Sequence, residues 1–188
     1  MDIGKFKGAL GAGGARPNQF EVMLTFPGGI SAGGDHLLLV TGASLPASTV
    51  NPAIIQYRGR EIKLAGERIF DPWTITIVND SSMTLRFMFE EWMDKMNRKH
   101  DNQGAIKPKD YQSILSVTHL DRNDGPLAHY QLNDAFPINM SEIALQYAQN
   151  DIIEEFTVTF QYQDYIATKV GGQRENPEGA EAPAPVTI

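Results

Sequence analysis

The chain has 188 residues, 41% of them hydrophobic, no cysteine and a formal net charge of −7. That is enough for one compact domain with its own core. The absence of cysteine excludes disulfides, thiolate catalysis and Cys-ligated zinc, and the acidic balance speaks against a protein that grips nucleic acid by its phosphates.

Residues 1–19 are rich in Gly and Ala and have neither a helical nor a strand period, so an arm without fixed structure is expected, flexible over 1–17. The first ten residues lack the apolar stretch of a secretory signal, and no apolar run further on is long enough to span a bilayer. Phe20, Val22, Leu24 and Phe26 alternate with polar neighbours, the pattern of a strand with one buried face. A Gly-rich turn over 27–35 leads to a strand over 36–43, whose apolar run 37–40 predicts burial on both faces. Residues 44–52 carry Pro46 and Pro52 and read as an irregular loop; 54–69 read as strand broken at Gly59, and Trp73, Ile75 and Ile77 alternate in another strand.

One helix is expected over 82–97. Asp80 or Ser81 supplies its N-cap, and Leu85, Met88, Phe89, Trp92, Met93 and Met96 recur at three- and four-residue spacing on one face. A polar loop over 97–110 follows. Residues 111–120 and 127–133 then read as a hairpin about the turn 121–126, and 136–139 as a bend leading to a short strand over 142–147. Phe156, Val158, Phe160 and Tyr162 alternate in the clearest strand of the chain. From Ala167 the composition turns to Gly, Glu, Pro and Ala, that of a flexible acidic tail over 167–188. The reading is a single mainly-β domain over 18–166, a sandwich or barrel with one principal helix packed on the sheet and a core centred on Trp73, Phe89, Trp92, Phe156 and Phe160.

Catalytic patterns are missing. No zinc-protease spacing joins His36, His100, His119 and His129; the hairpin leaves room for His119 and His129 to face each other, but they read as a solvated strand pair rather than a metal site. There is no nucleophile elbow and no phosphate-binding Gly-Lys-Ser/Thr turn. Asp151, Glu154 and Glu155 form an acidic cluster without a partner motif and read as a solvated strand start. No cofactor, metal site or catalytic residue is expected. The residues alone therefore lead to a soluble mainly-β domain, with an enzyme and a small-molecule-binding barrel still open.

Particular strings go further. ARPNQFEV at 15–22, LPA at 45–47, REIKLAGERIFDPWT at 60–74, VND at 78–80, FPIN at 136–139 and EFTVTF at 155–160, running on to Asp164 and Tyr165, stand in this order along the chain. Together they resemble the tail tube proteins of contractile-tailed, T4-type bacteriophages. The Gly-rich arm, the 27–35 loop and the tail after 167 depart from that family.

The resemblance implies hexameric rings stacked into a tube inside a sheath, with each subunit adding strands to a continuous inner barrel around a lumen that DNA traverses. It implies ring contacts at Arg16, Pro17, Asn18, Leu45, Pro46 and Ala47. It also implies that 54–65 and 111–133, with part of the strand over 36–43, supply the inner barrel, with Gln112, Thr118, Gln131 and Asn133 facing the lumen and the principal α-helix packed outside the sheet. The expected partners are further copies of the chain, the tail sheath protein and the baseplate and tail terminator proteins. The place is the virion, after assembly in the host cytoplasm. A baseplate or tube-initiator component and the tube of a phage-like injection apparatus are the alternatives within the resemblance; the single bare domain favours the tube.

Overall fold

The computed structural model describes residues 2–9, 14–28, 38–148 and 150–169. The expected turn at 29–35, His36 and the tail beyond 169 lie outside them. Strands form where alternation is strictest. β5 (Trp73–Val78) buries Trp73, Ile75 and Ile77, and β8 (Glu155–Gln161) buries Phe156, Val158 and Phe160. They pair antiparallel, Trp73 opposite Phe160 and Ile77 opposite Phe156, which puts Thr74 and Thr76 against Thr159 and Thr157 on the reverse face.

β6 (Ser113–Leu120) and β7 (Pro126–Met140) form the expected hairpin. Its turn is held by Asp121, whose Oδ1 accepts from the backbone N–H of Asn123 at 2.7 Å and of Gly125 at 2.8 Å. β1 (Phe20–Leu24) lies on the other side of β6, β2 (Val40–Ala43) pairs with β5, and β9 (Asp164–Lys169) runs back along β7. The result is a seven-stranded open sheet in the order β1-β6-β7-β8-β5-β2, with β9 also on β7. β7 changes partners around Asp134, whose φ is 53°. Before that residue β7 pairs with β9, after it with β8, and β6 follows it as far as Ala135. The two halves of the sheet share one core, which contains all five aromatic residues predicted for it.

The principal helix, α2 (Thr84–Met96), buries Leu85, Met88, Phe89 and Trp92. Asp80 caps it from four residues back: its carboxylate accepts from Thr84 N–H at 2.8 Å and Thr84 Oγ1 at 3.0 Å, while Met83 takes a left-handed φ of 51° that turns the chain into the helix. Phe26 packs edge-on to Trp92 with ring centroids 5.4 Å apart, and Phe89 and Trp92 meet Phe160 at 5.9 and 6.1 Å. Gly104 lets the following loop close on the helix end: a side chain there would collide with the Met96 carbonyl oxygen, and Ala105 N–H bonds to Lys95 O at 2.8 Å.

Several expectations are corrected. Residues Ile3–Ala9 form a short helix, α1, started by Asp2 Oδ1 accepting from Gly4 N–H at 3.0 Å. The second strand begins only at Val40, and Leu38 is 83% exposed, so burial on both faces does not hold there. The bend at 136–139 is instead the continuation of β7; Pro137 is tolerated because it sits at a register shift, where its missing N–H breaks no ladder. No strand forms over 142–147, and Ala167–Lys169, read as tail, belong to β9. The largest departure is at 44–52, where a strand begins at Ser48.

Candidate assembly surfaces

β3 (Ser48–Tyr57) and β4 (Arg60–Phe70) form a two-stranded sheet of their own, paired with no other described strand. Their turn has positive φ at both central residues, Arg58 at 47° and Gly59 at 79°, the mirror-image turn that matches the twist of a hairpin. A register shift between Val50 and Pro52 absorbs Pro52.

The register sorts the side chains into two faces. Ala53, Ile55 and Tyr57 lie opposite Leu64, Ile62 and Arg60; Pro52, Ile54 and Gln56 lie opposite Ala65, Lys63 and Glu61. One face is therefore apolar apart from Arg60 beside the turn, and the other is mixed, with Gln56 Nε2 donating to Glu61 Oε1 at 3.1 Å. Every residue from Thr49 to Ile69 is exposed, including Ile55 at 51%, Tyr57 at 57% and Leu64 at 51%. A lone two-stranded hairpin is marginal in water, and an apolar face without cover marks an interaction surface.

The hairpin is fastened at its root. Ser48 Oγ lies 3.3 Å from Tyr165 OH and accepts from Arg68 Nη1 at 3.2 Å, and the Phe70 ring packs on Tyr162 and Tyr165 with centroids 5.9 and 5.6 Å apart. Tyr162 OH donates to Ala47 O at 3.3 Å, Asp71 N–H to the same carbonyl at 3.1 Å, and Trp73 Nε1 to Ser44 O at 2.6 Å. Burial pushes the Tyr162 phenol up to about 12, with smaller contributions from Tyr165 and Asp71. Among the predicted contact residues, Pro46 is thus buried in this root, while Leu45 and Ala47 flank it at the surface. Arg16, Pro17 and Asn18 form an exposed turn elsewhere, at the start of β1, where Arg16 O meets His119 Nε2 at 2.9 Å.

A second surface is the face of the sheet turned away from the core. Thr118 stands opposite His129 and Glu21, Ser116 opposite Gln131 and Met23, Asn133 opposite Asp164, and Gln131 opposite Ile166. Three of the four residues predicted to face a lumen, Thr118, Gln131 and Asn133, therefore share one face. Thr118 Oγ1 lies 2.9 Å from His129 Nδ1, and Gln131 Nε2 donates to Asn133, whose Nδ2 donates to Asp164 Oδ1 at 2.6 Å. The fourth, Gln112, lies just before β6, its N–H bonded to Pro108 O. Glu21 and Asp164 are the charged residues these strands put on this face; no Lys or Arg stands among them.

His119 and His129 do not pair across the hairpin. Thr118 faces His129 and Ala128 faces His119, so the two imidazoles lie on opposite faces of the hairpin. No group of three or more His, Asp or Glu among the described residues is placed to hold a metal ion. Glu154 belongs to the fold, accepting from Asn79 Nδ2 at 3.4 Å. What sequence reasoning missed was the apolar face of the hairpin, although the alternation of Ala53, Ile55 and Tyr57 carried the signal, and the contribution of β9 to the polar face.

Comparison with known proteins adds to this geometry. The family model described as phage tail tube protein matches residues 15–168. The tail tube protein gp19 of Enterobacteria phage T4 is 27% identical over 146 residues, covering 77% of this chain and 86% of that protein. The tail tube protein of Serratia phage KSP90 is 25% identical over 172 residues, covering 89% and 97%. Among solved structures, a chain of the anti-feeding prophage baseplate superimposes with a TM-score of 0.59 at 17% identity, covering 84% of this chain and 97% of that one. A chain of the sheath–tube complex of an extracellular contractile injection system does so at 0.56 and 14%, covering 87% and 97%. At those identities the two structures speak to the fold.

Proposed function

The chain belongs to the phage tail tube protein family and is a structural subunit of a contractile tail, and on that premise we propose how it builds the tube. The observation that carries the proposal is the amphipathic hairpin whose apolar face has no partner among the described residues. Copies join around a hexameric ring so that each β3–β4 hairpin lies against its neighbour, apolar face outward onto that neighbour and mixed face inward. The hairpins and the polar face of Thr118, Gln131 and Asn133 together form the inner wall. Ring closure removes the open strand edges that a single copy leaves exposed, and head-to-tail contacts that close by rotation give rings rather than aggregates.

The wall so built suits the passage of DNA. Glu21 and Asp164 add negative charge to the sheet part of it, and Lys63 of the hairpin stands on the same face as Glu61. Such a wall repels phosphates and lets the polyanion slide, whereas a basic wall would hold it. The role is one of assembly and conduction, without catalysis. The sheath would surround the tube, and baseplate and terminator proteins would meet its two ends, in a virion assembled in the host cytoplasm.

Negative-stain microscopy of the concentrated purified protein tests the reading. Hollow fibres or stacked rings of constant width are expected. Dispersed single particles at every concentration and salt would overturn it.

A further inference from the structure

α1 is a helix without a partner among the described residues. None of its residues is buried, Ile3 and Phe6 are 69% and 66% exposed on one face, and Lys7 stands one turn from Ile3 on its flank. Isolated helices of this length are unstable in water, so contact with another surface must hold it. Elsewhere, the segment joining β7 to β8 forms an open groove in which Leu145, Tyr147, Ile152 and Ile153 are strongly exposed, with Asp151 and Glu155 on its rim. Over 141–155 the segment has four carboxylates and no Lys or Arg.

We infer that α1 of one copy seats in this groove of a neighbouring copy, Ile3 and Phe6 on the apolar floor and Lys7 toward the acidic rim. Both surfaces are apolar with opposite charge at the margin, so docking removes apolar area from water and pairs the charges at once. A neighbouring copy is favoured over the same chain because α1 does not lie in its own groove: no α1 residue is among those that line it, and Ile3 and Phe6 stay exposed in the single copy. The inference rests on the tube reading, which brings copies side by side, and it makes α1 a clasp between subunits.

The absence of cysteine allows a direct test. Ala9→Cys and Gln146→Cys are made in separate proteins, since neither change removes a docking side chain. The two are mixed, concentrated and oxidised, then run on a non-reducing gel beside an Ala9→Cys and Ile106→Cys mixture as control. A disulfide-linked dimer of the two variants, absent from the control, is the expected result. No such dimer, or one equally abundant in the control, overturns the inference. Microscopy of the same samples separates the two readings: tubes without the cross-link reject the clasp and keep the tube, and cross-linked pairs without tubes support the clasp and tell against the tube. Lys7→Glu should abolish the link, and Asp151→Lys in the partner should restore it.

Discussion

Trp92 shows how one side chain organises several elements. Its ring packs against Phe26, Phe89 and Phe160, and its Nε1 donates to Tyr111 O at 2.6 Å, tying the end of the 97–110 loop to the helix. It is fully buried, so Trp92→Ala should destabilise the chain by about 3–5 kcal/mol in chemical denaturation, with the Tyr111 carbonyl left unpaired as well. A near-neutral result would mean that the helix face is an exposed docking surface instead. The ionisation of Tyr162 bears on stability. Its folded pKa, about 12, lies above the ordinary value of 10.0, so between those limits the unfolded chain has lost a proton that the folded chain keeps. Its contribution is complete below pH 10.0 and lost as pH rises toward 12. Unfolding midpoints should fall through that window, and Tyr162→Phe should flatten the fall while costing about 0.5–1.5 kcal/mol at neutral pH for the lost bond to Ala47 O.

At the scale of elements, the hairpin divides the functional surface into two faces, which substitution can separate. Ile62→Asp places a charge on the apolar face of β4, where the side chain is 45% exposed in the single copy. The folded chain should tolerate it within about 1 kcal/mol, since little packing is lost, yet sedimentation should show assembly abolished. Lys63→Gln on the opposite face should leave both stability and assembly near normal. Equal effects of the two would contradict the assignment of faces. The same hairpin shows what a sequence discloses. Strands with one buried face, such as Trp73–Val78 and Glu155–Gln161, were legible because period-two alternation and burial coincide there. Ser48–Pro52 was not: two prolines near the start of β3 read as loop signals, and the shift between Val50 and Pro52 that accommodates the second depends on β4. The start of β9 was lost in the run from Phe156 to Tyr162, and its last residues in tail composition. α1 was hidden among glycines. The polar face of Thr118, Gln131 and Asn133 was grouped by family resemblance; their common side follows from the register with β1, β6 and β9, which local pattern does not encode.

At the scale of the whole molecule, the single copy looks unfinished in a consistent way. Among the described residues the sheet ends in open strands β1 and β2, the hairpin stands apart from it, and α1 and the 141–154 segment expose apolar side chains. A domain that folded for itself would hide such features; one that polymerises needs them, and burying the remaining area of Ile55, Tyr57, Ile62 and Leu64 contributes on the order of 1 kcal/mol each at every interface. The net charge of −7 keeps separate copies apart until specific contacts prevail. The most direct measurement is a cryo-electron microscopy reconstruction of the assembled protein. The expected map has hexameric rings with Ala53, Ile55, Tyr57, Ile62 and Leu64 pressed on the neighbouring subunit and Thr118, Gln131 and Asn133 lining an open channel. A tube in which the apolar face of the hairpin is bare, or in which those polar side chains lie on the outer surface, would contradict the account.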